Sequence, residues 1–283
     1  MPNWLVNLDR RWIFLATFLS VAGPMLFGLR FPEEPSKKVR DVYNAIEKLP
    51  EGSVVLLALD YDPASEGELG PMMSAFTRHC CEKKLKIVYL TLWDRGPSMI
   101  QKAIDLMRVE YPSMRYGRDF VNLGFKSGGE GVIKNMGTSL RAAAQADLDG
   151  TSLDSLALTK PLRTLKDVQL LICVGAGSPG PKEWIQFAAS ALNMDAVAGT
   201  PGVQATQLVP YTPKPLIGML AAIKGAAEYE QALIEAYPHL KKVDRAQEGL
   251  RRMGPQFVAH LLVVALIVLG NIISFAQRRS SAR

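Results

Sequence analysis

An uncharged, apolar run near the carboxyl end of the chain, residues 257–275 (FVAHLLVVALIVLGNIISF), constrains the fold more than any other feature. The surrounding stretch 253–277 contains no Asp, Glu, Lys or Arg. A helix rises about 1.5 Å per residue, so about 20 such residues cross a hydrocarbon core about 30 Å thick. We therefore predict a transmembrane helix over residues 256–276.

A second uncharged run, residues 12–29 (WIFLATFLSVAGPMLFGL), predicts another transmembrane helix near the amino end. Its small residues Ala16, Ser20 and Gly23 are suited to close packing against another helix. The tripeptide 20–22 also resembles a signal-peptidase site, but we interpret the run as an uncleaved signal anchor.

Two polar residues, His260 and Asn271, lie within the carboxyl-terminal run. A bare polar group in lipid is costly, so such residues usually face protein, and we predict that both pack against another helix. A proton path is the alternative, but the two residues are about 16 Å apart along a helix and no acidic residue in either run completes a relay.

Between the two runs, apolar segments of strand length alternate with helical patterns. The predicted strands are residues 53–59, 86–92, 119–124 and 168–174, with two short strands at 195–198 and 203–210, and a long helix is predicted at 215–237. Parallel neighbours need a crossover connection, so this alternation predicts an α/β fold with a mainly parallel, doubly wound sheet, Rossmann-like or flavodoxin-like.

These assignments divide the chain into seven segments. They are a tail at 1–11, a transmembrane helix at 12–29, a connector with a short helix at 30–52, the α/β domain at 53–238, a basic juxtamembrane segment at 239–255, a transmembrane helix at 256–276 and a basic tail at 277–283.

The net charge of +6 is concentrated beside the two apolar runs. This placement favours contact with anionic lipid head groups, and no basic patch interleaved with aromatic residues indicates nucleic-acid binding. The basic residues concerned are Arg10, Arg11, Lys241, Lys242, Arg245, Arg251, Arg252, Arg278 and Arg279.

Arginines in both tails predict that both termini are cytoplasmic and that the α/β domain lies outside, at a plasma or inner membrane. Basic residues on the domain side of both runs, and three cysteines with no expected disulfide, favour the opposite orientation. An even number of spans places both termini on one side in either case.

The loop 175–180 (GAGSPG) matches GxGxxG between a strand and a helix. Its residues Gly175, Gly177, Ser178 and Gly180 could present backbone N–H groups to a phosphate at a helix N-terminus. The motif does not follow the first strand, and Pro179 lacks an N–H group, so we favour a tight turn without a ligand.

Asp60 and Asp62 follow the first strand, where ligands of doubly wound sheets bind. They could bind a cation or a ligand hydroxyl, or they could start a turn and complement a helix dipole. No second acidic cluster completes a metal site, and no cofactor is indicated. Arg95 and Lys126 could add positive charge to the same crevice, although intramolecular ion pairs are the favoured alternative.

Small residues are concentrated in the last helix before the basic segment, in the stretch 225–230 (GAAEYE). Gly225 and Ala226 would let another backbone approach closely, either the sheet beneath or a neighbouring subunit. Glu228 and Glu230 would then form a partly exposed polar rim of this interface.

The sequence contains no complete catalytic motif. Ser178 lacks the glycine two residues earlier that a nucleophile elbow requires, and none of the three histidines is expected beside it. We therefore predict a doubly anchored structural or accessory subunit of a homo- or hetero-oligomeric membrane assembly. The alternative is a membrane-tethered enzyme or receptor that binds an anionic or nucleotide-like small molecule in the crevice.

Overall fold

The computed structural model describes residues 9–31 and 33–281. The chain separates into two compact units, an α/β unit of residues Glu33–Gly249 and a helical unit formed by the stretches on either side of it.

The α/β unit contains one six-stranded sheet in which every neighbouring pair is parallel. The strands are β1 (Val54–Asp60), β2 (Lys86–Thr91), β3 (Phe120–Phe125), β4 (Leu170–Gly175), β5 (Ala196–Thr200) and β6 (Leu216–Ala221). Their order across the sheet is β3-β2-β1-β4-β5-β6. This is the order of the Rossmann fold, so the predicted doubly wound parallel sheet is confirmed.

Helices connect the strands on both faces of the sheet. In chain order the α-helices are α1 (Arg10–Phe27), α2 (Lys37–Glu47), α3 (Glu66–Glu82), α4 (Pro97–Glu110), α5 (Glu130–Thr138), α6 (Leu140–Ala143), α7 (Pro181–Trp184), α8 (Gly202–Leu208), α9 (Ala222–Ala236) and α10 (Glu248–Ser281). A π-helix, Ile185–Ser190, follows α7, and a short 3₁₀ helix, Pro63–Ser65, precedes α3.

Each face of the sheet has its own apolar core, because successive strand side chains point to opposite faces. In β1, Leu57 and Leu59 belong to the core beneath α2, α3, α4 and α9, whereas Leu56 and Ala58 belong to the core beneath α5, α6 and α7. A strand buried on both faces is apolar throughout, and this explains why β1 could be recognised as a continuous run.

The sixth strand is not where the sequence pattern placed it. Residues 203–210 were expected to form a strand but lie mainly in α8, and β6 comes from the first part of the expected long helix. Both segments are short and apolar, and periodicity alone does not distinguish a buried strand from a buried helix at this length. Tertiary pairing with β5 places Leu216–Ala221 in the sheet.

Gly218 allows α2 to pack closely on β6. A Cβ atom at this position would lie 2.5 Å from the carbonyl oxygen of Lys38 and 2.9 Å from Cγ2 of Val42. We expect Gly218→Ala to lower the free energy of unfolding by about 2 kcal/mol, because the backbone of α2 must move to admit the methyl group.

Gly131→Ala is the matched control, because a Cβ atom at Gly131 meets nothing within 4 Å. Its expected effect is neutral, or stabilising by about 0.5 kcal/mol. Urea unfolding of the two purified variants provides the comparison. An equal change in both variants would contradict the proposed overlap with α2.

The helical unit contains α1 and most of α10. Among the residues the structure describes, one helical stretch, Asp244–Phe275, is long and apolar enough to cross a membrane, with a mean hydropathy of 2.4 in its most apolar part. Helix α1 does not meet the same measure, since two arginines occupy its first turn and only about 24 Å of apolar helix remains. The transmembrane helix predicted at residues 12–29 is therefore not confirmed.

The two stretches of this unit meet near Leu29. A Cβ atom at Gly254 would overlap the carbonyl oxygen of Leu29, and the rings of Phe31 and Phe257 have centroids 4.9 Å apart. The small residues predicted to pack in the membrane, Ala16, Ser20 and Gly23, are half-buried, whereas His260 and Asn271 are exposed. Helix contacts at these five residues stay a prediction.

Candidate functional site

The order of the strands reverses between β1 and β4, and this point is where ligands bind in open α/β sheets. Asp60, the last residue of β1, is paired in register with Gly175, the last residue of β4. Two of the predicted site residues are therefore neighbours at the carboxyl edge of the sheet, at the crevice that the fold provides.

Asp60 points into the protein at this crevice and is 1% exposed. Its Oδ1 atom accepts the backbone N–H of Leu92 at 2.6 Å, and its Oδ2 atom accepts the indole N–H of Trp184, also at 2.6 Å. The carboxyl group thus joins β1 to the loop after β2 and to the end of α7.

Burial raises the pKa of Asp60 to about 7, although the hydrogen bonds from Leu92 and Trp184 act in the opposite direction. Desolvation disfavours the charged form of a carboxyl group, whereas donors directed at it favour that form. Asp60 therefore acts within this structure as an internal acceptor that titrates near neutral pH.

Two backbone N–H groups and the one hydroxyl of the GxGxxG loop donate to the protein's own side chains. The N–H of Gly177 donates to Oε1 of Gln204 at 3.0 Å, and the N–H of Gly180 donates to Oε2 of Glu183 at 2.9 Å. The hydroxyl of Ser178 donates to the other carboxylate oxygen of Glu183 at 2.9 Å. Glu183 thus occupies the position that an anionic ligand would need.

Trp93 covers the same loop. Its indole N–H donates to the carbonyl oxygen of Pro179 at 2.6 Å. Gly177 has a φ of +91°, and a Cβ atom on it would lie 3.0 Å from the Trp93 ring. Both the backbone conformation and the close ring require glycine here, so this glycine has a structural reason that does not involve a phosphate.

The remaining predicted residues of the crevice are more dispersed. Asp62 is half-buried, and its Oδ1 accepts the N–H of Ser65 at 3.2 Å, which caps the 3₁₀ helix before α3. Arg95 is exposed. Burial lowers the pKa of Lys126, and the charge of Asp147 opposes this shift. Asp62 therefore has a turn-forming role, which was the alternative weighed for it.

A cluster of three or more His, Cys, Asp or Glu residues that could hold a metal ion is absent from the part of the chain that the structure describes. The four acids after β1, at positions 60, 62, 66 and 68, do not converge, since Glu66 pairs with Lys102 and Glu68 accepts the N–H of Gly202.

A buried polar network on the other side of the unit was not recognised from the sequence. His79 on α3 is fully buried, with Nδ1 lying 2.5 Å from the hydroxyl of Tyr229 on α9 and Nε2 lying 2.9 Å from Oε2 of Glu47 at the end of α2. Tyr237 and Tyr43 also donate to Glu47 Oε2, at 2.9 and 3.1 Å. The network joins three helices of one face.

The ionisation of this network follows from its contacts. The hydrogen bond from His79 is the largest influence on Glu47 and holds its pKa at about 2, below the usual range. Burial lowers the pKa of His79, and burial together with the nearby Glu47 charge raises the pKa of Tyr43 to about 12. At neutral pH the network is a carboxylate bound by the neutral side chains of His79, Tyr43 and Tyr237 and, at its other oxygen, by the ammonium group of Lys83 at 3.3 Å.

Helix α9 fixes both ends of the α/β unit through two buried carboxylates. Oε2 of Glu228 accepts the N–H of Ser36 at 2.9 Å, and Oε1 of Glu230 accepts the N–H of Gly249 at 3.0 Å. The two side chains belong to residues that are 5% and 1% exposed, so the prediction of a partly exposed rim is wrong.

The small residues of α9 pack inside the unit. Ala226 is fully buried, and a Cβ atom on Gly225 would lie 2.9 Å from the backbone of Leu220 in β6. Close approach of another backbone is thus realised with the sheet beneath, which was one of the two alternatives. Contacts of Gly225, Ala226 and Glu228 with a neighbouring subunit stay a prediction.

The chain was compared with families and with individual proteins. No protein-family model matches it, and no curated protein shows significant similarity to it.

Proposed function

We propose that this protein is a membrane-anchored, non-enzymatic α/β subunit of a membrane protein assembly. The observation that carries the proposal is the internal closure of the crevice, where Glu183 and Gln204 accept hydrogen bonds from three donors of the GxGxxG loop and Trp93 covers it. The fold alone does not decide, because this architecture supports unrelated functions.

The alternative, an enzyme or receptor for an anionic or nucleotide-like molecule, requires this loop to open. A phosphate would have to displace the Glu183 carboxylate from two donors, one at Gly180 and one at Ser178. Hydrogen bonds to a charged group are worth about 1.5–3 kcal/mol each, so a phosphate gains only the difference between its own bonds to these donors and the bonds that it displaces. The closed loop therefore favours a structural role.

Anchoring is supported by the large apolar side chains that the helical unit exposes. In α10 these are Phe257, Leu261, Val263, Val264, Ile267, Val268, Ile272 and Phe275. Contiguous apolar surface of this extent marks contact with lipid or protein. We propose that α10 spans the membrane, that α1 crosses it as a second span, and that the shared side of both termini is the cytoplasm of a plasma or inner membrane.

The attachment of both ends of the α/β unit to α9 also suits an accessory role. Ser36 follows the amino-terminal helix and Gly249 precedes the apolar part of α10, and each donates its N–H to a buried carboxylate of the same helix. The buried carboxylates of α9 thus serve the packing of the α/β unit itself.

Solubilisation in mild detergent followed by mass measurement tests this function. We expect the full chain to remain with membranes during an alkaline wash and to migrate in detergent at a mass well above its 31.0 kDa monomer. Release by the alkaline wash, or a monomer with no companion protein, would contradict the proposal.

A ligand screen on the same preparation separates the two alternatives. A ligand at a hundredfold its Kd adds about 2.7 kcal/mol of stability, so nucleotides and sugar phosphates would raise the melting temperature if the crevice bound them. We expect no shift for the natural chain. A shift that Glu183→Ala enlarges would instead show that the loop is a ligand site and favour the receptor alternative.

A further inference from the structure

A second cavity lies at the carboxyl end of β6, away from the closed crevice. Its volume is about 370 Å³, and it lies between α2, α8 and α9. The lining residues are Ser36, Lys38, Val39, Ala205, Thr206 and Val209, followed by Met219, Ala221, Lys224, Gly225 and Glu228. The cavity thus combines a polar side with an apolar wall.

The polar side of this cavity carries an excess of positive charge. Lys38 and Lys224 line it together with one acid, Glu228, whose Oε2 is engaged by the N–H of Ser36. Lys224 is 3.8 Å from the other oxygen of Glu228, and its side chain is 61% exposed, so it remains able to turn toward an anion. Helix α9, which begins at this cavity, has no side-chain cap and no acid in its first turn.

The apolar side continues onto the surface of α8. Val209 lines the cavity and is 45% exposed, and Val203, on the first turn of α8, is 86% exposed. An exposed valine, Val209, in the wall of a cavity that also carries two lysines suits a surface that meets both the head groups and the acyl boundary of a bilayer.

Both ends of the α/β unit lie close to this cavity, and each leads along the chain into an apolar run. Gly249, which α9 fixes, precedes Met253, where the uncharged stretch of α10 starts, by four positions, and this is about 6 Å of helix. Ser36, in the lining of the cavity, is seven residues beyond the apolar run that ends at Leu29. The cavity therefore belongs to a part of the fold that lies near both ends of the tethered unit.

We propose that this cavity binds the head group of an anionic phospholipid, with the phosphate at Lys38 and Lys224 and the first acyl carbons along Val209 and Met219. The inference rests on the proposed membrane anchoring and assigns to the α/β unit a specific lipid contact beyond that anchor. Such a contact would hold the unit at one height and orientation on the bilayer.

Native mass spectrometry and thermal melting of the full chain in a neutral detergent test the site, with dioctanoyl phosphatidylglycerol as the probe. We expect this lipid to stay bound and to raise the melting temperature, whereas phosphatidylcholine of the same chain length does neither. Each lysine near an anionic lipid surface contributes binding free energy, and the loss of two lysines corresponds to about thirtyfold weaker binding. We therefore expect Lys38→Gln combined with Lys224→Gln to bind the anionic lipid about thirtyfold more weakly.

Two further variants control for folding and for charge. Lys160→Gln combined with Lys166→Gln removes the same charge outside the cavity and should leave the affinity unchanged. Ala205→Phe fills the cavity without changing charge and should also weaken binding at least tenfold. The melting temperature without lipid reports whether each variant is folded.

Three outcomes would overturn the inference. They are equal weakening in the two double variants, equal binding of the two lipids, and equal protection by inorganic phosphate, which would show a simple anion site. The alkaline wash separates this failure from that of the proposed function. A chain that stays in the membrane but fails these tests refutes the lipid site alone, and a chain that is released refutes the anchoring as well.

Discussion

Replacing Asp60 by alanine is expected to lower the free energy of unfolding by about 4 kcal/mol. The substitution leaves the N–H of Leu92 and the indole N–H of Trp184 without their acceptor, and both donors bind Asp60 at 2.6 Å. A buried donor left unsatisfied costs about 1–3 kcal/mol. Urea unfolding of the full chain in detergent, followed by tryptophan fluorescence, measures the loss.

Asp62→Ala is the matched control, because Asp62 is only half-buried and accepts one N–H within a turn. Loss of such a cap costs about 1 kcal/mol. If the two alanine variants unfolded at the same urea concentration, Asp60 would not be the acceptor on which the crevice depends.

The pH dependence of this loss has a defined sign. The pKa of Asp60 is raised to about 7 in the folded protein from 3.8, so the folded state binds the proton more tightly. The stability from this group is fully present below pH 3.8 and is lost as the pH rises through 7. The loss of unfolding free energy caused by Asp60→Ala should therefore be larger at pH 5 than at pH 8, by about 2 kcal/mol.

The fold class could be predicted because five of the six strands are apolar runs bounded by turn residues. The order of the strands could not, since it depends on which segments pair across the sheet. The error at β6 shows the limit of the pattern: Leu216–Ala221 is a strand only because it pairs with β5, and Gly218 is explained by the approach of α2. Neither cause is local in sequence.

The position of the crevice could also be predicted, but its closure could not. One signal was available, because Glu183 lies three residues after Gly180, which is the spacing of a capping box. The other contacts come from distant parts of the chain. Trp184 is 124 residues from Asp60 and Gln204 is 27 residues from Gly177, and sequence periodicity carries no information about such pairs.

The segments that bear on function divide in the same way. The apolar run of α10 predicts its environment from composition alone, and the structure retains it as a long helix with exposed apolar side chains. The carboxylates of α9 were placed on a polar rim because Glu is usually exposed. They are buried, and they accept hydrogen bonds from the backbone N–H groups of Ser36 and Gly249, partners that are visible only once the chain is folded.

Replacing His79 by phenylalanine is expected to lower the free energy of unfolding by about 3 kcal/mol. The phenyl ring can keep the stack on Tyr43, whose centroid is 4.7 Å away, but it leaves the buried hydroxyl of Tyr229 without its partner and removes a donor from Glu47. Removing both partners of a buried hydrogen bond is less costly than removing one. His79→Phe combined with Tyr229→Phe should therefore cost less than the sum of the single changes.

The pH dependence of this second prediction has the opposite sign to that of Asp60. Burial lowers the pKa of His79 below 6.5, so the unfolded chain binds the proton more tightly, and the contribution of the group is present above pH 6.5 and lost as the pH falls. The loss of unfolding free energy caused by His79→Phe should therefore be smaller at pH 5 than at pH 8.

His239→Phe provides the control, because that side chain is 60% exposed and its pair with Glu82 is worth at most about 1 kcal/mol. Two results would contradict a neutral, buried His79 that links α3 to α2 and α9. One is a double variant whose loss of unfolding free energy equals the sum of the two single losses. The other is a loss in His79→Phe that becomes larger as the pH falls.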